Sequence, residues 1–115
     1  MLVTPLKGKS HFDKVFEEPD LIVNHDYFKI ILKKNNLKEI KLGLIVPKKN
    51  LSLAARRNYL KRSARELARN DIFLGYDVIF LLIDKIKDYS KQELRNNIFK
   101  LKKKIEFKLN DFWDF

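Results

Sequence analysis

The chain has 115 residues, of which 45% are apolar and 35% are charged, and its formal net charge is +10 at neutral pH. This length suits one domain with a single modest core, and the apolar fraction argues against intrinsic disorder. The sequence contains no cysteine, which excludes disulfides, thiolate metal sites and thiol nucleophiles. It begins without a signal-peptide pattern, and its longest apolar run has six residues, so we expect a cytoplasmic protein without a membrane partner.

The first half of the chain is predicted to form one helix and three strands. The helix begins near Ser10 and ends before Pro19, because proline disfavours helical geometry in the residue before it. It places Phe12, Val15 and Phe16 on one side. Apolar and β-branched runs then predict strands at residues 21–23, 27–32 and 40–46.

The second half is predicted to form a helix, a strand and a helix. An apolar stripe at helical spacing predicts the middle helix of the chain: Leu53, Leu60, Ala64 and Leu67. Residues 78–83 form an uninterrupted apolar run of the kind found in buried central strands. The last helix begins at a capping box, Ser90 to Glu93, and keeps one apolar face as far as Leu109. The aromatic residues beyond it fit either core or surface: Phe112, Trp113 and Phe115.

The predicted element order is therefore α-β-β-β-α-β-α. Because the middle helix joins two strands as a crossover, this order predicts an α/β (α+β) two-layer sandwich with one mixed sheet and helices.

Positive charge is concentrated around the middle helix. Residues 48–69 contain eight lysines and arginines against Glu66 alone, which accounts for +7 of the net charge. One face of the helix, opposite the leucines, carries an amide and four bases, with Arg57 at its border: Asn58, Lys61, Arg62, Arg65 and Arg69.

This arrangement differs from an ordinary solvated helix face, where bases and acids alternate at four-residue spacing. Lys61, Arg65 and Arg69 form like-charge pairs at that spacing, and such pairs destabilise an isolated helix. A face that carries them needs an anionic partner, and nucleic acid fits best.

The same residues resemble a motif of the protein subunit of bacterial ribonuclease P. In this motif two lysines follow a strand, and after a short spacer come Arg-Asn, Lys-Arg and Arg-Glu, with two residues between successive pairs. Tyr59 stands where that family commonly has another arginine. The segment 12–16 is similar to the family's first helix, and residues 77–79 resemble its last strand. The motif itself reads Lys48-Lys49, Arg57-Asn58, Lys61-Arg62 and Arg65-Glu66, with Arg69 as a further base.

The resemblance implies a single RNA-binding domain over residues 1–115 that serves as the protein subunit of an endoribonuclease. In that family the RNA subunit carries the catalysis and holds most of the magnesium, and the complex removes the 5′ leader of precursor tRNA. We therefore expect no catalytic residue and no metal bound by the protein alone, with the catalytic RNA and precursor tRNA as partners.

The resemblance also implies which residues meet RNA. Three aromatic side chains would line a cleft for the single-stranded leader, although core packing explains the spacing of the first two equally well: Phe12, Phe16 and Phe28. The catalytic RNA would face the motif residues Lys48, Lys49, Arg57, Asn58, Lys61, Arg62, Arg65 and Arg69.

Two other functions fit part of the pattern. A ribosomal or RNA-chaperone protein would bind structured RNA with the same helix. A DNA-binding regulator would need a compact helix pair before the reading helix, whereas strands are predicted there. An active site within the protein is disfavoured, because the two histidines lie near no Ser/Asp constellation and the three glycines form no phosphate loop.

Overall fold

One five-stranded mixed sheet organises the chain in the computed structural model, which describes residues 3–86 and 90–113. The strands are β1 (Val3–Pro5), β2 (Leu21–His25), β3 (Phe28–Lys34), β4 (Ile40–Ile45) and β5 (Tyr76–Leu82). The helices are α1 (Lys9–Glu17), α2 (Ala54–Ala68) and α3 (Lys91–Trp113), and a short 3₁₀ helix, Asp71–Phe73, precedes β5. Phe115 lies outside the described residues. None of the helices described here is long and apolar enough to cross a membrane.

The strands lie in the order β1-β4-β5-β3-β2. β4 is parallel to both β1 and β5, whereas β3 is antiparallel to β5 and to β2. Parallel neighbours need a long connection, and α2 supplies it between β4 and β5. The mixed sheet and the crossover through the basic helix are therefore confirmed. β1 adds a short edge strand to the predicted order.

The two faces of the sheet are covered unequally. Side chains alternate along a strand, so β3 sends Phe28 and Ile30 to one face and Ile31 to the other. The first face packs against α2 and α3 in a large core that also contains Leu60 and Leu101. Because burying such a side chain contributes about 1.5–3 kcal/mol, this core dominates the stability of the fold.

Among the described residues, α1 is the one helix on the second face, which has a small cluster of four buried residues: Leu6, Val15, Ile31 and Ile79. Ile22 of β2 pairs with Ile31 and so lies on the same face, yet it is 38% exposed. α1 therefore forms a partial layer on this face and leaves part of the sheet open to solvent beside it.

Candidate nucleic-acid interface

The helix α2 docks on the sheet by one apolar side and presents its bases to solvent. Its buried residues are Leu60, Ala64, Leu67 and Ala68. Leu53, which the sequence placed in this stripe, is the residue before the helix and is 57% exposed. Among the side chains that the structure describes, those of residues 3–86 and 90–109, no ion pair involves a base of α2. We define the basic surface as Lys48, Lys49, Asn58, Lys61, Arg62, Arg65 and Arg69.

Arg57 differs from the other predicted RNA contacts, because part of its guanidinium is used within the fold. One guanidinium nitrogen donates to the carbonyls of Leu51 at 2.9 Å and Ser52 at 2.7 Å. Leu53 at the helix start offers no side-chain cap, so Arg57 organises the turn that leads into α2. The remaining guanidinium nitrogens of this half-buried side chain are the part that RNA can reach.

Asn50 fixes the loop that carries Lys48 and Lys49. It is only 8% exposed, and its side-chain amide donates to the carbonyl of Leu82 at 3.0 Å. Its own carbonyl accepts from the backbone N–H of Ile86 at 2.9 Å. The loop is thereby tied to the end of β5, which holds both exposed lysines beside the start of α2. Sequence reasoning missed this role, because an asparagine in a lysine-rich loop looks like any exposed polar residue.

The open part of the sheet forms a cleft with α1. α1 lies over the row that contains Ile31, Ile79 and Gly43. The next row consists of Asn24, Lys29, Leu81 and Ile45. Leu81 and Ile45 are half-buried against the small cluster, so this second row has an apolar floor on β4 and β5 and polar side chains on β3 and β2.

Phe12 and Phe16 form the wall of this cleft. On a helical wheel at about 100° per residue they lie to one side of buried Val15, and Glu18 lies to the other. Glu18, the residue after α1, contacts Lys33 at 3.6 Å, and from this we infer that the two aromatic rings lie on the opposite flank of α1, nearer the second row. We name Phe12, Phe16, Lys29, Ile45 and Leu81 the aromatic cleft.

The two aromatic rings have different environments. Phe12 is half-buried, and a Cβ atom added to Gly43 would lie 2.5 Å from its Cζ. Glycine at this position therefore lets the ring lie directly on β4. Phe16 is 41% exposed, so its ring is available to a ligand. Packing against β4 thus explains much of the position of Phe12, whereas the ring of Phe16 is exposed to solvent.

The prediction that Phe28 lines the cleft is wrong. Phe28 is 0% exposed and lies in the large core on the opposite face, with its ring centroid 5.3 Å from that of Phe80. Strand alternation explains the error, because neighbouring positions of β3 face opposite sides of the sheet. The β3 side chain in the open row is that of Lys29.

A groove of about 420 Å³ joins the basic surface to the aromatic cleft. Arg65 and Arg69 line it from α2, and Phe12 and Gly43 line it from the other side. It opens at the edge of β4, because β1 pairs with β4 only as far as Leu42. The structure thus brings predicted phosphate-binding side chains next to a predicted base-binding ring.

The arrangement suits binding of a polyanion. Among the described residues, no group of three or more His, Asp or Glu side chains could hold a metal ion. Guanidinium and ammonium groups bind phosphates, and exposed aromatic rings stack on unpaired bases. The adjacency of the two chemistries favours a ligand that has both a charged backbone and free bases.

Comparisons with known proteins indicate one family. The family model described as Ribonuclease P matches residues 3–106. The ribonuclease P protein component of Vibrio vulnificus is 37% identical over 110 residues, which cover 95% of this chain and 86% of that protein. The ribonuclease P protein component of Pseudoalteromonas translucida is 34% identical over 107 residues, which cover 90% of this chain and 72% of that protein.

Solved structures agree. The RNase P protein of Staphylococcus aureus has a TM-score of 0.72 at 24% identity, covering 86% of this chain and 92% of that one, and this likeness concerns the fold alone. The RNase P protein from Thermotoga maritima has a TM-score of 0.64 at 27% identity, covering 93% of this chain and 96% of that one.

Proposed function

This chain belongs to the ribonuclease P protein family, and on that premise we propose how its two surfaces divide the recognition of RNA. As the protein component of this endoribonuclease, it takes part in the 5′ maturation of tRNA. It works with the ribonuclease P RNA on tRNA precursors. The relatives reported above are all ribonuclease P proteins, which favours this function over a ribosomal or RNA-chaperone protein.

In this proposal the basic surface binds the catalytic RNA. The observation that carries it is the set of α2 bases that form no ion pair within the described part of the chain. Arginine forks onto phosphate oxygens with two parallel hydrogen bonds. Such contacts give affinity and orientation without reading bases, which suits a structured RNA recognised by its shape.

The aromatic cleft holds the single-stranded 5′ leader. The exposed ring of Phe16 can stack on an unpaired base, and such stacking is worth about 1–3 kcal/mol per base. Lys29 lies beside Leu81 in the floor of the cleft and can meet the leader backbone. Arg65 and Arg69, which line the connecting groove, give the strand a charged path between the two surfaces.

The hydrolysis is assigned to the RNA subunit and its magnesium ions, which supply an activated water. Every role assigned to this chain is one of binding. Basic side chains hold the catalytic RNA, while the cleft holds the leader, so that the scissile bond beside the leader is kept in one position. Holding reactants in place lowers the entropic part of the barrier, and added cations reduce the need for free magnesium.

The test is cleavage of precursor tRNA by the matching catalytic RNA over a magnesium titration, with and without the protein. We expect the protein to permit cleavage at magnesium concentrations where the RNA alone is inactive. Gel shifts with ribosomal RNA and duplex DNA serve as specificity controls. Unchanged cleavage at low magnesium, together with equal binding of ribosomal RNA, would favour the RNA-chaperone alternative.

A further inference from the structure

A second concave surface lies between α2 and α3, on the side of α2 away from the aromatic cleft. It begins as a groove of about 330 Å³, whose walls include Arg56, Asn58 and Arg62 from α2 and Lys91 from α3. Among the described residues that line this groove, none is acidic. It continues into a second groove of about 420 Å³ that shares Tyr59 and Arg62 and adds the bases Arg95 and Lys102 together with one acid, Glu66.

Tyr59 brings bases of α3 toward those of α2. Its hydroxyl accepts a hydrogen bond from a guanidinium nitrogen of Arg95 at 3.3 Å. The ammonium group of Lys91 lies 5.3 Å from the centre of the Tyr59 ring, within the range of a cation–π contact. Because the hydroxyl acts as the acceptor toward Arg95, its own proton remains for a second oxygen. Two helices thus contribute cations and a hydroxyl donor to one concave surface.

Three other lysines of α3 have different partners. Lys102 pairs with Glu106 at 3.8 Å, Lys103 lies over the ring of Phe99, and Lys104 donates to a carbonyl of β2. Each of these three lysines therefore has a contact partner outside α2. Lys91 and Arg95 are instead turned toward α2, where their only described partner is Tyr59.

We propose that the groove between α2 and α3 binds backbone phosphates of the catalytic RNA, so that the RNA contact extends from α2 onto the first turns of α3. This inference rests on the function proposed above. The occupant follows from continuity, because Arg62 and Asn58 belong both to the basic surface and to the groove. The surface is also elongated across two connected grooves, which suits a strand with repeated phosphates better than a single small anion.

The test compares two double variants of equal charge by titration of the full-length protein with the catalytic RNA at several salt concentrations. Lys91→Ala with Arg95→Ala removes the two α3 cations that contact Tyr59. Lys100→Ala with Lys103→Ala removes two exposed α3 cations that line neither groove. We expect the first pair to raise Kd about tenfold at low salt and to reduce the salt slope by about 1–2. The control pair changes Kd less than about twofold, because distant surface charges are screened.

Cross-linking identifies the RNA. The sequence has no cysteine, so Ala55→Cys gives a unique attachment point for a photo-cross-linker on the groove wall, and Lys100→Cys is the control. Cross-links from position 55 to the catalytic RNA, and few from position 100, support the proposal. Cross-links from position 55 to precursor tRNA alone overturn it.

The outcomes separate the two proposals. If the unmodified protein stimulates cleavage while both double variants bind the catalytic RNA equally well, the groove has no role and the proposed function stands. If the unmodified protein neither binds the catalytic RNA nor stimulates cleavage, both proposals fail. Thermal unfolding of each variant shows whether a weaker binder is still folded.

Discussion

The basic surface on α2 and the aromatic cleft beside α1 meet at one groove but are built by opposite means. Apart from Arg57, the bases of α2 project into solvent, and none of the α2 bases forms an ion pair with the rest of the described chain. The cleft is preformed, since Phe12 lies directly on Gly43 and the floor residues Ile45 and Leu81 are half-buried. One surface is defined by charge and the other by shape.

The two surfaces are therefore expected to contribute to binding in different ways. Phosphate contacts release counterions, so affinity from the basic surface falls steeply with salt. Ordering each long side chain also costs about 0.5–1.5 kcal/mol. Stacking in a preformed cleft depends less on salt and demands little reorganisation. We therefore expect salt to separate the two surfaces experimentally.

The largest expected effect comes from removing three charges of the basic surface together. Lys61→Ala, Arg62→Ala and Arg65→Ala should weaken binding of the catalytic RNA about 100-fold at low salt and reduce the salt slope by about 2–3, because up to three phosphate contacts are lost. The measurement is a binding titration over a range of salt concentrations.

The matched control for this variant removes three exposed lysines elsewhere: Lys38, Lys100 and Lys103. An equal loss of affinity in the control would mean that net charge, rather than the α2 face, attracts the RNA.

A smaller effect, confined to the leader, tests the cleft. Phe16→Ala should weaken binding of precursor tRNA to the holoenzyme about tenfold, since one stacking contact is worth about 1–3 kcal/mol. Mature tRNA, which lacks the leader, should bind unchanged, and the salt slope should stay constant. Phe107→Ala is the control, because Phe107 is a 68% exposed phenylalanine on α3. Equal losses for precursor and mature tRNA would exclude Phe16 from leader binding.

The smallest effect is expected at the border between framework and surface. Arg57→Ala should lower the free energy of unfolding by about 1 kcal/mol, because the carbonyls of Leu51 and Ser52 lose their shared donor. The neighbouring exposed Arg56→Ala should change it by less than about 0.5 kcal/mol. Urea denaturation measures both. Equal stability of the two variants would assign Arg57 to the RNA contact rather than to the turn.

Local pattern was enough to predict most of the architecture. The 3.6-residue period placed α2 and α3, the apolar runs placed β2 to β5, and the crossover followed from their order. β1 was not predicted, because a strand of three residues, Val3–Pro5, is too short to show an alternating apolar pattern. Their pairing with β4 depends on contacts with residues almost forty positions away.

The site was predictable where one helix carries it and unpredictable where the sheet or a second helix contributes. The position of the α2 bases on one exposed face could be predicted from their spacing alone. Phe28 was misplaced because its side of the sheet depends on strand register. The partnership of Tyr59 with Lys91 and Arg95 joins two helices that are distant in sequence. Asn50 and Lys29 gave no local signal, since polar residues in loops and strands are usually exposed.

The crossover topology affects the stability of α2, the helix that we propose binds RNA. Ligand-binding segments are usually among the least stable parts of a protein. Here α2 joins β4 and β5, two neighbouring strands in the middle of the sheet, and its apolar side belongs to the large core. Local unfolding of α2 would therefore disturb both the central strands and the large core. We expect α2 to keep its position relative to the rest of the protein when RNA binds.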